Sequence, residues 1–219
     1  MRLSDGQTDR ACGGPGPLKI VLATRNQGKV GELKSMFRDC DLEILSLADF
    51  PDVPDIPEEG NNFLENALIK ARTVSGITGE AVLADDSGLE VDALGGAPGI
   101  YSSRYAGLDA TDEKNIDKLL RELQGVPLEK RTAVFRCVLV FFRPDGTCET
   151  FEGRWPGRIV FEPRGERGFG YDPVFEDPGL GHTAAELLPD VKNVVSHRGR
   201  AFAGFREWIT RTEVRKIRS

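Results

Sequence analysis

Asp85 and Asp86 stand side by side behind the apolar run AVLA (residues 81–84), and glycines and a proline crowd the stretch SGLEVDALGGAPG that follows. Adjacent carboxylates repel, so two in succession need a physical reason. Successive side chains of an extended chain point to opposite sides, so one aspartate can face a cleft while the other anchors the loop through backbone N–H groups. The glycines allow sharp turns and close approach to a ligand. A carboxylate where a sheet opens suits a hard cation such as Mg2+, and it can also take a proton from an attacking water. The same DDSG stretch also has the composition of a plain acidic turn.

Other stretches also carry groups of chemical interest. TRNQGK (residues 24–29) joins an apolar run to a helical pattern. It lacks the glycine and the Ser or Thr of a P-loop, since Ala23 and Val30 hold those places. Its physics is still that of a phosphate cradle, with a strand-to-helix loop at the positive end of a helix and Lys29 as a point charge. A polar turn is the plainer alternative. Glu58 and Glu59 precede the next helix, either as a second carboxylate for a cation or as acids complementing the helix dipole. Lys70 lies beside an apolar helical stripe, the usual setting of a lysine whose head reaches water. RGFGYDPVF (residues 167–175) sets Phe169 between glycines, where a ring can stack on a nucleobase or simply fill core. Ser196, His197 and Arg198 form a donor-rich trio suited to a carbonyl-bearing ligand, with a solvated histidine at a helix start as the alternative. No nucleophile accompanies His197, so it is not read as part of a triad.

These groups must be positioned by elements that the periodicity outlines. KIVLA and DLEILSL read as strands around a helix that buries Val30, Leu33 and Phe37. NNFLENALIKARTVSG is a helix capped by Asn62, with Glu65 in the capping-box place and Phe63, Ala67, Ala71 and Val74 on one stripe. AVLA is a strand leading into the aspartates. Thr111 caps a third helix with Ile116, Leu119, Leu120 and Leu123 inward, stopped by Gly125 and Pro127. RTAVFRCVLVFF, apolar on both faces near its end, predicts a central strand, and the turn at Arg143–Gly146 returns it as a hairpin through TCETFEGRW. The last helix buries Phe202, Phe205 and Ile209. Helices alternating with strands plus one long hairpin indicate an α/β fold with a mixed sheet.

The 219 residues suffice for one domain with a real core, and no apolar run reaches the ~20 residues of a membrane span. A net charge of −6 argues against a basic face that coats nucleic acid. The cysteines at 12, 40, 137 and 148 form no CxxC pair, which disfavours a structural zinc and fits a reducing compartment, with Cys137 as a buried small hydrophobe. The first residues lack the apolar segment of a signal peptide. Residues 1–17 are expected to be a disordered tail, 18–213 one bilobed domain, and 214–219 a C-terminal tail.

Taken in order, LATRNQGKVGEL, EEGNNFLENALIKA, ADDSGLEVDALGGAPGIYSSRYAG, GFGYDP, AAEL and KNVVSHRGRA resemble the inosine triphosphate pyrophosphatases, from about Leu18 to Trp208. The resemblance implies an elongated mixed β-sheet with flanking helices, two lobes and a central cleft. It also implies a cytoplasmic homodimer that neither enters a membrane nor binds nucleic acid stably. The activity it implies is Mg2+-dependent hydrolysis of ITP, dITP or XTP to the monophosphate and pyrophosphate, cleansing the nucleotide pool. Carried over, Thr24, Arg25, Asn26, Gln27, Gly28 and Lys29 would hold phosphates. Asp86 would be the general base and a metal ligand, with Glu58 as the other metal ligand. Lys70 would stabilise charge, with Arg104 a further candidate. Ser87 would touch substrate, Phe169, Gly170, Tyr171 and Asp172 would wall the base and sugar, and Lys192, His197 and Arg198 would read the purine. Where the family often has a threonine after the metal glutamate this chain has Glu59, which leaves both Glu58 and Glu59 open as ligands. Two other readings are a pyrophosphatase for modified pyrimidine nucleotides, which is not expected to carry the SHR segment, and a nucleotide- or RNA-binding module without turnover.

Overall fold

The computed structural model describes residues 18–40 and 42–217, the last five of these by their backbone only. Cys12 and the expected N-terminal tail, residues 1–17, lie outside the described residues.

Strand β1 (Leu18–Leu22) is followed by helix α1 (Gln27–Met36) and strand β2 (Leu42–Ser46), which pairs parallel to β1 as an edge strand. Helix α2 (Phe63–Thr78) leads into strand β3 (Ala81–Val91), parallel to β1. Helix α3 (Asp112–Glu122) crosses to strand β4 (Thr132–Phe142), and β4 returns antiparallel as β5 (Cys148–Ile159). Short strands β6 (Phe175–Asp177) and β7 (His182–Thr183) complete the sheet, and helices α4 (Pro189–Val195) and α5 (His197–Ile217) close the chain. The mixed sheet has seven strands in the order β2-β1-β3-β4-β5-β6-β7, so the doubly apolar β4 is central as its sequence predicts. Helix α5 reaches Ile217, past the boundary expected at 213.

Two apolar clusters sandwich one half of the sheet. Leu33 of α1, Phe37 just after it, and Phe202, Phe205 and Ile209 of α5 pack against Ile20, Leu22, Leu83 and Leu139. On the opposite face, Phe63, Ala67, Ala71 and Val74 of α2 cover Val21, Val82, Ala84 and Val138. A third cluster gathers Ile116, Leu119 and Leu123 of α3 with Leu89, Phe135, Trp155 and Phe175, around the far half of the long β3–β4–β5 strands. The molecule is therefore bilobed, its lobes sharing three continuous strands.

The expected loop at Asp85–Asp86 is not there. β3 continues through both aspartates and on to Val91, because β4 pairs with it from Val82↔Phe142 to Val91↔Ala133. The opening comes instead from β1, whose ladder with β3 ends at Leu22↔Leu83. Beyond Leu83 one flank of β3 has no strand beside it, and there the cleft begins.

Candidate active site

The period of two in β3 separates the aspartates. Asp85 follows Ala81 and Leu83 onto the α1/α5 face, and Asp86 follows Val82 and Ala84 onto the α2 face. Asp86 lines a cavity of about 380 Å3 between the lobes. Asp85 is the anchor, though not through backbone N–H groups as expected, since those of an inner strand belong to the ladder. It accepts instead from side chains: Lys29 Nζ, Arg198 Nε at 3.0 Å, Ser87 Oγ at 3.1 Å and Cys137 Sγ at 3.2 Å. Burial opposes ionisation of Asp85, but Lys29 and Arg198 outweigh it and hold the carboxyl well below the usual range. Cys137 is thus buried, as expected, but it also touches this anion.

Lys70 does not reach water. It is 8% exposed, and its ammonium donates to Asp86 Oδ1 at 2.7 Å, Asp85 O at 2.7 Å and Glu58 Oε1 at 3.1 Å, which uses all three of its donors. One turn earlier on α2, Asn66 lies fully buried and approaches Asp86 Oδ2 at 3.4 Å while accepting from Gly60 N. Glu58 lies in the loop ahead of the Asn62 cap rather than at the helix terminus, and Arg104 holds its second oxygen at 2.8 Å. Glu59 is exposed and outside the cavity lining, so Glu58 is the carboxylate beside Asp86. Burial pushes the Asp86 carboxyl up, and Glu58 adds to this against the pull of Lys70. For Glu58 burial acts in the same upward sense, but Lys70 and Arg104 prevail and the net shift is downward.

The loop at 24–29 forms the roof. Asn26 caps α1 by accepting from Lys29 N at 3.1 Å, and Thr24 Oγ1 accepts from Asn26 N at 3.2 Å. Thr24, Arg25, Asn26 and Lys29 line the cavity. Gln27 and Gly28 do not: Gln27 is exposed, and the Phe169 ring packs so closely on Gly28 that a Cβ there would lie 2.5 Å from it.

On the opposite wall, Phe169 lies with the Lys192 ammonium 5.1 Å and the Arg198 guanidinium 5.5 Å from its ring centre. Tyr171 belongs mainly to the core, its hydroxyl donating to Ser102 O at 2.9 Å. Asp172 accepts from Phe169 N and from Lys192, and burial keeps its pKa raised. His197 is deeply buried, unlike the solvated histidine of the plainer alternative. The His197 ring stacks 4.7 Å from Phe135 at 13°, and its Nδ1 is a buried polar atom without a partner among the described residues. Burial, with Arg198 adjacent, pushes its pKa well below 6.5, so the ring is neutral at pH 7. Arg198 donates to Ser87 Oγ at 2.9 Å and pairs with Glu32, and Lys192 pairs with Glu32 at 2.8 Å.

Glu32, Asn66 and Asp112 went unread in the sequence. Glu32 had a signal, lying three residues after Lys29 on one helix face. Asn66 and Lys70, at i and i+4 inside an apolar stripe, had a stronger one: two polar groups on a buried face must find partners. Asp112 reaches Gly170 N from 58 positions away, which no local pattern announces.

No group of three or more His, Cys, Asp and Glu converges on one point among the described residues. What does converge is the Glu58–Asp86 pair, both on one ammonium. Mg2+ needs only one or two carboxylates, because water and phosphate oxygens supply the rest of its shell. The donor set fits that ion.

A model of the Ham1 family matches residues 20–208. The chain belongs to the Ham1 family. Among its relatives, a protein of Yersinia pseudotuberculosis named dITP/XTP pyrophosphatase is 55% identical over 185 residues, 84% of this chain and 93% of that one. One of the same name from Geobacillus kaustophilus is 53% identical over 183 residues, 84% of this chain and 90% of that one. A solved HAM1 protein from Coxiella burnetii superposes with a TM-score of 0.81 at 44% identity, covering 89% of this chain and 99% of the other. The Staphylococcus aureus Ham1 protein gives 0.78 at 40%, covering 88% and 98%. The bilobed mixed sheet is thus the Ham1 fold.

Proposed function

We propose that this Ham1-family protein is a Mg2+-dependent pyrophosphatase that hydrolyses non-standard purine nucleoside triphosphates, dITP, ITP and XTP, to the monophosphate and pyrophosphate. The relatives named dITP/XTP pyrophosphatase, matched over most of both chains, support the activity. One observation carries it to these residues: two carboxylates paired on one ammonium, Glu58 and Asp86, face the same cavity as the Thr24–Lys29 roof and the Lys192, His197 and Arg198 wall.

In this reading Glu58 and Asp86 would hold the Mg2+, which would supply positive charge that offsets the phosphates. Asp86 orients the attacking water and takes its proton, a role favoured by a carboxyl more basic than a free aspartate. Water adds across the bond joining the α and β phosphates, and Lys29 and Lys70 steady the charge on the departing pyrophosphate. Thr24, Arg25 and Asn26 bind the phosphates from the roof. Phe169 and Gly170 wall the base and sugar, and Tyr171 and Asp172 brace that wall. Gln27 and Gly28 serve as helix-entry backbone rather than as contacting side chains.

Purine choice follows from donors. Lys192, Arg198 and a neutral His197 N–H can pair with the 6-carbonyl of hypoxanthine or xanthine, whereas adenine presents an amino donor to them. Action in the cytoplasm as a homodimer completes the proposal. It also assigns the chain from residue 18 to the end of α5 to one bilobed domain.

Pyrophosphate release measured over ITP, XTP, dUTP, GTP and ATP with Mg2+ tests this reading. Rapid release from ITP and XTP is expected, with ATP slower by at least ~10²-fold. Asp86→Asn should stay folded and lose turnover. Preferred hydrolysis of dUTP, or wild-type rates in Asp86→Asn, would overturn the reading.

A further inference from the structure

The Phe169 ring is held by Gly28 and by the Lys192 and Arg198 cations, but its backbone lies in a glycine-bearing turn. Gly168 and Gly170 flank the ring with φ of +80° and +62°, a backbone state that other residues rarely adopt. Nothing lies within 4 Å of where a Gly170 side chain would begin, so no neighbour confines that side of the residue. The stance of Phe169 therefore depends also on what its backbone binds. Asp172, inside the same turn, accepts from Phe169 N at 2.9 Å. The next N–H, that of Gly170, donates to Asp112 Oδ2 at 2.6 Å.

Asp112 comes from a different element, and it is spare there. It opens α3, but the cap is Thr111, whose hydroxyl accepts from Lys114 N at 3.3 Å. The Asp112 carboxylate is not needed to end the helix and is turned outward to the loop. Its platform is firm. Asn115, one turn on, is 3% exposed, accepts from Ala106 N at 2.7 Å and donates to Ser103 O at 3.2 Å. Asp112, Asn115, Phe169 and Gly170 all line the cavity.

We propose that Asp112 is a positioning residue for purine binding: its carboxylate fixes the Gly170 backbone and so sets the Phe169 ring against the base. The inference rests on the pyrophosphatase reading. A hydrogen bond to a charged acceptor that orients a wall acts on ground and transition states alike, so its loss raises KM and spares kcat.

Steady-state kinetics with ITP test this. Asp112→Ala should raise KM about five- to tenfold, the scale of one such bond, with kcat within about twofold of wild type. Asp112→Asn keeps an acceptor oxygen and should hold KM within about twofold. In a Phe169→Ala background, Asp112→Ala should add nothing to KM, because the ring it positions is gone. The thermal midpoint accompanies each variant. Asp112 is exposed and Thr111 keeps the cap, so the folded state is expected throughout. Wild-type KM in Asp112→Ala overturns the proposal. So does an equal KM increase with and without the Phe169 ring. Loss of midpoint in both Asp112→Ala and Asp112→Asn, with KM unmoved, would assign the carboxylate to the helix dipole instead. A wild-type protein inert toward ITP would sink the pyrophosphatase reading itself, a result distinct from all of these.

Discussion

His197 and Arg198 begin α5, where the helix dipole disfavours a cation, and both are buried. A chain breaks such a local rule where the arrangement serves something else. Asp85 and Glu32 offset the Arg198 charge, and His197 answers its burial by staying neutral. A pH effect on stability follows. The folded state refuses a proton on His197 that the unfolded chain accepts below about pH 6.5, so the unfolded state binds more protons there and stability falls on acidification. The contribution of this one group reaches about 1.4 kcal/mol per pH unit below pH 6.5. Asp86 and Asp172, with raised values, act in the opposite sense, losing stability as pH rises through the acid range. Denaturant midpoints of wild type and His197→Gln between pH 7.5 and 5.5 separate the terms: the fall should shrink in the variant. Parallel curves would mean that the buried imidazole takes up a proton in the folded protein.

At the scale of elements, α2 was legible from Asn62 to Val74, cap and apolar stripe included, because i, i+3 and i+4 spacing is a local property. The stripe also held Asn66 and Lys70, and their destiny depended on β3, a different element. β3 itself read too short, since AVLA is its only continuous apolar run. The rest is strand because β4 supplies a partner for every residue through Val91. Close approach of α5 to β5 is set by Gly153. A Cβ on Gly153 would lie 1.8 Å from His197 O and 2.7 Å from Ala201 N, both backbone atoms that cannot rotate away. Gly153→Ala should therefore cost about 1–3 kcal/mol or more and, by lifting the first turn of α5, weaken ITP turnover through Arg198. Urea titration with an ITP assay checks both. An unchanged midpoint would mean that α5 moves aside without cost.

Across the whole molecule, an ionic network joins elements far apart in sequence: Lys29 and Glu32 on α1, Asp85 on β3, Lys192 on α4 and Arg198 on α5. Such buried charges stabilise only as a complete set, and removing one member leaves another unpaired. The Glu58–Asp86 pair is already matched by Lys70 and Arg104. The fold therefore does not depend on a divalent ion, although turnover is expected to. Chelation should abolish pyrophosphate release, Mg2+ should restore it, and the thermal midpoint should move little. A large drop in midpoint on chelation would make the ion structural and the ammonium bridge insufficient.

The order of helices and strands through the β4–β5 hairpin, the last helix, the caps at Asn62 and Thr111, the central β4 and the candidate segments around Lys29, Asp86, Phe169 and Arg198 were decided by the sequence alone. Each depends on residue type and on spacings within one or two turns of chain, whereas β6, β7 and α4 left no such signal. Which aspartate faces the cavity, which glutamate accompanies it, that Lys70 is a buried bridge and that Asp112 reaches Gly170 were decided only by the tertiary structure. Those outcomes turn on where β1 stops beside β3 and on contacts between residues tens of positions apart, and a carboxylate becomes an anchor or a base according to what surrounds it.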